Sequence, residues 1–115
     1  MKEYILKIVN HYGLNNQLKY FQSEVFELNE AIINAENNRY IGIICKPCDS
    51  CVEHIAEELA DVMVMLKQFQ YYYEISDEKV EDVIKYKTQR QLERIENEEV
   101  NKDVRAMGEE KKGRR

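Results

Sequence analysis

Apolar residues recur along this chain at one dominant spacing. Leu18, Phe21, Val25, Leu28, Ile32 and Ala35 follow one another in alternating steps of three and four, as do Ile55, Leu59, Val62, Leu66, Phe69 and Tyr73. That period draws a single apolar stripe along an α-helix, whereas on a strand it would scatter over both faces. One Pro and four Gly among 115 residues leave little to interrupt it. Few turns favour helices over a many-stranded β fold, so the sequence predicts an all-α protein.

Lys2 to Tyr12 reads as a short N-terminal helix with Ile5, Ile8 and Val9 on one side, stopped by Gly13. Asn15 or Asn16 can cap a second helix, from about Gln17 to about Asn37. Asn37 to Ser50 breaks the pattern with Asn37-Asn38, Gly42 and Pro47, and reads as a loop. Within it, Ile41, Ile43 and Ile44 form at most a brief extended piece. A third helix is predicted from about Cys51 to Glu74. A fourth follows from about Glu78, capped by Ser76 or Asp77, and runs beyond Ile95. It carries Val80, Val83, Ile84, Lys87, Gln91 and Ile95 near one face. From Glu96 onward the chain is polar and charged, a frayed helical extension or disorder. The expected organisation is one helical domain over residues 1–98 and a charged C-terminal extension over 99–115.

Charge and hydropathy exclude some classes. A net charge of −5 argues against a general nucleic-acid binder, which carries a basic face. The basic end Lys111-Lys112-Gly113-Arg114-Arg115 reads as a solvated terminus. No apolar run approaches the roughly 20 residues that cross a bilayer. Met1-Lys2-Glu3-Tyr4 does not resemble a signal peptide. A cytoplasmic protein with no membrane partner is the expectation.

Two acidic motifs lie within the predicted helices: Glu24-x-x-Glu27 and Glu58-x-x-Asp61. Residues three apart share a helix face. At about 100° per residue, Glu58 stands about 60° from the middle of its stripe, with Asp61 further round on the same side. Glu57 points nearly away. Glu24 and Glu27 border their own stripe on one flank, and Glu30 falls farther off. Each helix thus offers one acidic pair at the edge of its apolar face, where a cleft between packed helices opens. Acids at such spacing are often plain solvated surface. Four that converge need a cation, and Mg²⁺ is the usual hard partner for carboxylates and phosphates.

Gln17-Leu18, Glu24-Val25-Phe26-Glu27-Leu28 and Ala31-Ile32 resemble the first half of the MazG-like nucleotide pyrophosphohydrolases. His54-Ile55-Ala56-Glu57-Glu58-Leu59-Ala60-Asp61-Val62 resembles the second half, and Lys87 and Arg90 resemble the family's downstream basic positions. The resemblance covers roughly Gln17 to Ile95. It implies a four-helix-bundle core of antiparallel helices, assembled as a dimer or tetramer. It further implies Mg²⁺-dependent hydrolysis (Mn²⁺ as substitute) of a nucleoside triphosphate between its α and β phosphates. Carried over by position, Glu24, Glu27, Glu58 and Asp61 match the metal-binding acids, and Lys87 and Arg90 the phosphate-contacting bases. Glu27 is the choice for general base. Tyr20, His11, Phe21 and Tyr71-Tyr72-Tyr73 are candidates for stacking on a base, or else core and interface residues.

Two other classes stand beside the enzyme. A non-catalytic oligomeric helical module would bind nucleotides or a partner with the same acids. A di-iron bundle needs a Glu-x-x-His pair on each of two helices, and neither His11 nor His54 has a Glu three residues before it. Finally, Cys45-x-x-Cys48-x-x-Cys51-x-x-His54 gathers four soft-metal ligands. Zinc at Cys45, Cys48 and Cys51 is one reading, but zinc ligands usually come as two separated pairs. Reduced thiols in a cytosolic loop is the other.

Overall fold

The computed structural model describes residues 1–41 and 48–112, with side chains described over 1–38 and 48–107. It contains four helices: α1 (Lys2–Tyr12), α2 (Leu14–Ile41), α3 (Asp49–Tyr72) and α4 (Asp77–Lys112). Among the described residues there is no strand, and no helix is long and apolar enough to cross a membrane. The chain falls into two units, Met1–Ile75 and Ser76–Arg115.

In the first unit, α1 occupies the predicted residues and buries Ile5 and Val9. Gly13 ends it with φ 88° and ψ 145°, a backbone that L side chains rarely adopt. Its N–H bonds the Val9 carbonyl at 2.8 Å. The next helix starts at once, at Leu14, three residues before the predicted Gln17. Neither Asn15 nor Asn16 therefore stands ahead of α2 as its cap. Asn16 turns back and donates its amide to the Tyr12 carbonyl at 2.8 Å, satisfying the end of α1 instead.

At its far end α2 continues to Ile41, through residues that the sequence assigned to a loop. Asn37 and Asn38 are weak helix formers, yet extending a formed helix is far easier than nucleating one. The remainder of the predicted loop, including Gly42, Ile43, Ile44, Cys45 and Pro47, lies outside the described residues. α3 begins at Asp49, whose acid in the first turn suits the helix dipole. It closes with Ile75 N–H bonding the Gln70 carbonyl at 3.0 Å and Glu74 N–H the Tyr71 carbonyl at 3.0 Å. This puts Glu74 at φ 55°, in left-handed backbone.

Contacts between α2 and α3 pair Gln17 with Gln68, Glu24 with Glu58, and Asn38 with Cys51. Numbers rise on one helix as they fall on the other, so the two run in opposite directions. The predicted stripes are rotated by about one residue. On α2 the covered line is Gln17, Phe21, Glu24, Leu28, Ala31 and Ala35, while Leu18 and Ile32 are exposed. On α3 it is Ile55, Glu58, Val62, Met65 and Gln68, while Leu59 and Leu66 are exposed. Four polar side chains, Gln17, Glu24, Glu58 and Gln68, thus share the seam with apolar ones. Gln17 Nε2 donates to Gln68 Oε1 at 2.8 Å, and Gln68 itself is 1% exposed. Phe21 and Phe69 meet edge to face at 5.3 Å beside them.

In the second unit, Ser76 caps α4 as expected, its Oγ accepting the Lys79 N–H at 3.0 Å. The helix runs to Lys112, so residues 96–112, read as a frayed extension or disorder, are helical. Val83, Ile84, Leu92 and Ile95 are exposed along it.

Two stability outcomes follow. Gln68→Leu strands the buried Gln17 amide and is expected to cost about 1–3 kcal/mol. The double change Gln17→Leu/Gln68→Leu recovers most of that loss, as urea unfolding of the three variants will read. Glu74→Asn, better suited to left-handed backbone, raises the unfolding free energy by roughly 0.5 kcal/mol in the same assay.

Candidate metal centre

The rotation of both stripes brings two acids inward. Glu24 sits in the covered line of α2 and is 6% exposed, and the Glu58 side chain is 15% exposed on α3. Glu27, one turn along α2, is exposed. Each of Glu24, Glu27 and Glu58 contributes one carboxylate oxygen to a set lying within 4.8 Å of one another. Asp61, one turn beyond Glu58, is exposed and is not in that set. Of the four acids read from the sequence, three converge and the fourth stands at the margin.

Each inward acid has a partner four residues earlier on its own helix, the spacing at which helical side chains meet. His54 Nε2 lies 3.3 Å from Glu58 Oε1. This occupies the imidazole that the sequence grouped with the cysteines. Tyr20 hydrogen-bonds Glu24. That bond, then the Glu24 charge, then slight burial, then the Glu27 and Asp61 charges, raise the pKa of its phenol above the ordinary tyrosine value. The phenol therefore stays protonated and donates. Tyr20 was a candidate for stacking on a base or else a core or interface residue, and His54 carried no role at this site. The i, i+4 spacings Tyr20–Glu24 and His54–Glu58 were the readable signal.

One oxygen on each inward acid remains. Glu24 Oε2 and Glu58 Oε2 are both buried and make no hydrogen bond. A buried carboxylate oxygen without a partner is costly, and neighbouring carboxylates repel. An all-oxygen donor set of three carboxylates fits a hard divalent cation and does not suit a soft one. The exposed side, at Glu27 and Asp61, leaves room for waters and further oxygen ligands to complete the shell.

Lys87 and Arg90 belong to the second unit. Both are exposed on α4, where with Gln91 and Arg94 they line a shallow depression. The Arg90 guanidinium lies over the Tyr86 ring, 5.7 Å from its centre, and Arg94 Nη1 donates to Gln91 Oε1 at 2.9 Å.

Comparison with protein-family models, with curated proteins and with solved structures gave no match.

If the three acids take a divalent cation, saturating Mg²⁺ or Mn²⁺ will raise the melting temperature by about 5 °C or more over K⁺ at equal ionic strength. Glu24→Gln, which removes one negative charge from the cluster, will melt higher than the parent in chelator and lose the response to Mg²⁺.

Proposed function

We propose that this chain is a Mg²⁺-dependent nucleoside triphosphate pyrophosphohydrolase of the MazG-like kind. It would cleave an NTP or dNTP between the α and β phosphates to a nucleoside monophosphate and pyrophosphate. The single observation that carries this reading is that Glu24, Glu27 and Glu58 converge from two helices, while Glu24 and Glu58 each keep a buried oxygen without a partner. A structural surface cluster would turn such oxygens to water. The ordered motifs on α2 and α3 supply the rest of the support.

In this reading Glu24, Glu27 and Glu58 hold the cation, with Asp61 joining from the exposed side. When bound, Mg²⁺ screens the acids from the phosphates and stabilises charge on the departing pyrophosphate. His54 and Tyr20 fix the rotamers of Glu58 and Glu24, so that the second oxygen of each faces inward. Glu27, the exposed member of the trio, accepts the proton of the attacking water. The family resemblance assigns Lys87 and Arg90 to phosphate contacts, for which a Lys point charge and the planar fork of Arg are suited.

The reading includes an antiparallel four-helix core completed in a dimer or tetramer. Its support is the number of large apolar side chains left exposed on these two helices: Leu18, Phe26 and Ile32 on α2, and Leu59, Met63 and Leu66 on α3. Large side chains left in water at this density are normally covered by another chain.

A panel of nucleoside and deoxynucleoside triphosphates with Mg²⁺ tests the activity by released pyrophosphate. Glu58→Gln is expected to lower turnover by at least about a hundredfold with helicity unchanged. Turnover that survives this change and Glu24→Gln alike would sink the site. Silence on every triphosphate, with Mg²⁺ still raising the melting temperature, would leave a binding module as the better reading.

A further inference from the structure

The first turn of α3 holds a second cluster of reactive groups, remote in chemistry from the acids. Cys48 occupies the N-cap position with extended backbone, φ −68° and ψ 157°. Cys51 follows one turn on, and the two Sγ atoms lie 2.6 Å apart. A disulfide bond measures about 2.05 Å, so slight side-chain rotation would close one. Ser50 Oγ stands 3.4 Å from Cys48 Sγ. From the end of α2, Asn38 Nδ2 donates to Cys51 Sγ at 3.5 Å. Cys48 is exposed, whereas Cys51 is half-buried.

We propose that Cys48 and Cys51 are a redox-active dithiol that exchanges with low-molecular-weight disulfides, Cys48 attacking and Cys51 resolving. The positions set this order. An incoming disulfide can reach the exposed sulfur, while the shielded one is already in line behind it. The cluster also activates the attacking sulfur. Hydrogen bonds from the Cys51 thiol, then the Ser50 hydroxyl, then the Cys51 backbone N–H bring the Cys48 pKa down to about 7. Near neutral pH a large share of Cys48 is then thiolate, the form that attacks.

The exchange proceeds in two displacements. Cys48 thiolate attacks one sulfur of the external disulfide RS–SR. A Cys48–SR bond forms, the RS–SR bond breaks, and one RS⁻ leaves and takes a proton from solvent. Cys51 then gives up its proton and its sulfur attacks Cys48 Sγ. The Cys48–Cys51 bond forms, the Cys48–SR bond breaks, and the second RS⁻ departs and is protonated. The protein dithiol loses two electrons, and the external disulfide gains them as two thiols. Asn38, donating to Cys51 Sγ, stabilises the resolving sulfur as its proton leaves.

The test uses the full chain carrying C45S, in which Cys48 and Cys51 are the remaining cysteines; C45A replaces it if helicity is lost. The reduced protein is incubated without oxygen with oxidised glutathione and followed by intact mass. The expected product has lost the mass of two hydrogens, carries no glutathione, and returns to the starting mass with dithiothreitol. C45S/C51S is expected to trap one glutathione several-fold faster than C45S/C48S does, because Cys48 is the exposed sulfur and keeps Ser50 beside it. That difference should vanish in urea, which dissolves the first turn of α3. The proposal is overturned if C45S accumulates glutathione adducts without an internal disulfide. It is equally overturned if the two single-cysteine proteins react at the same rate while folded. Because the readout is mass, a failed hydrolase assay has no bearing on the result.

Discussion

Two carboxylates held face to face between packed helices cannot be left uncompensated. Removing a charged group from water costs several kcal/mol unless a partner returns it. The α2–α3 seam returns part of this through His54 and the Tyr20 hydroxyl. For the inner oxygens of Glu24 and Glu58 it provides no donor among the described groups. Those two oxygens are the part of the seam that the described side chains leave uncompensated, and it is on them that the proposal of a bound cation rests. The same seam hides Gln17 and Gln68 and leaves Leu18, Leu59 and Leu66 uncovered. Buried polar groups thus stand among the apolar core of Val9, Ala31, Ala35, Val62 and Met65. Burial of these apolar groups supplies the adhesion, and each polar group among them must be satisfied or it costs stability.

The i, i+4 partners give the site its rigidity. A glutamate has three rotatable bonds and loses much freedom when fixed. His54 lies against Oε1 of Glu58 and Tyr20 hydrogen-bonds Glu24, each support one turn before the acid it holds. Both supports lie on the same helix as the acid they orient, so local geometry presets each carboxylate before the helices meet.

Helix period, the Gly13 stop and the Ser76 cap were legible because each depends on neighbouring residues alone. The sides of α2 and α3 that turn inward were not. Leu18, Ile32, Leu59 and Leu66 are the larger apolar groups, and a stripe drawn through them is the better amphipathic pattern for an isolated helix. The observed rotation toward Gln17, Glu24, Glu58 and Gln68 depends on pairs between helices, which no single helix encodes. Glu24, Glu27 and Glu58 were therefore legible as a candidate set, but their depths were not. Glu24 and Glu58 turn in, Glu27 stays out and Asp61 stands aside, an order that follows from that rotation. The Cys48-x-x-Cys51 spacing was plain to read, while the near-contact of the sulfurs and the reach of Asn38 depended on the fold.

Apolar surfaces are indifferent to sliding by a turn, because one leucine is much like the next. The Gln17–Gln68 hydrogen bond is different: at 2.8 Å it has one length and one direction. It acts as a detent along the axis of two antiparallel rods, fixing which residue of α2 stands opposite which residue of α3. The acids ride on those same rods, with Glu24 two turns along α2 from Gln17. A seam rebuilt with leucines at both glutamine positions would recover most of its adhesion, yet lose this directional constraint on its longitudinal setting. Adhesion and alignment are thus separable properties of this interface, and only the second sets the spacing of its carboxylates.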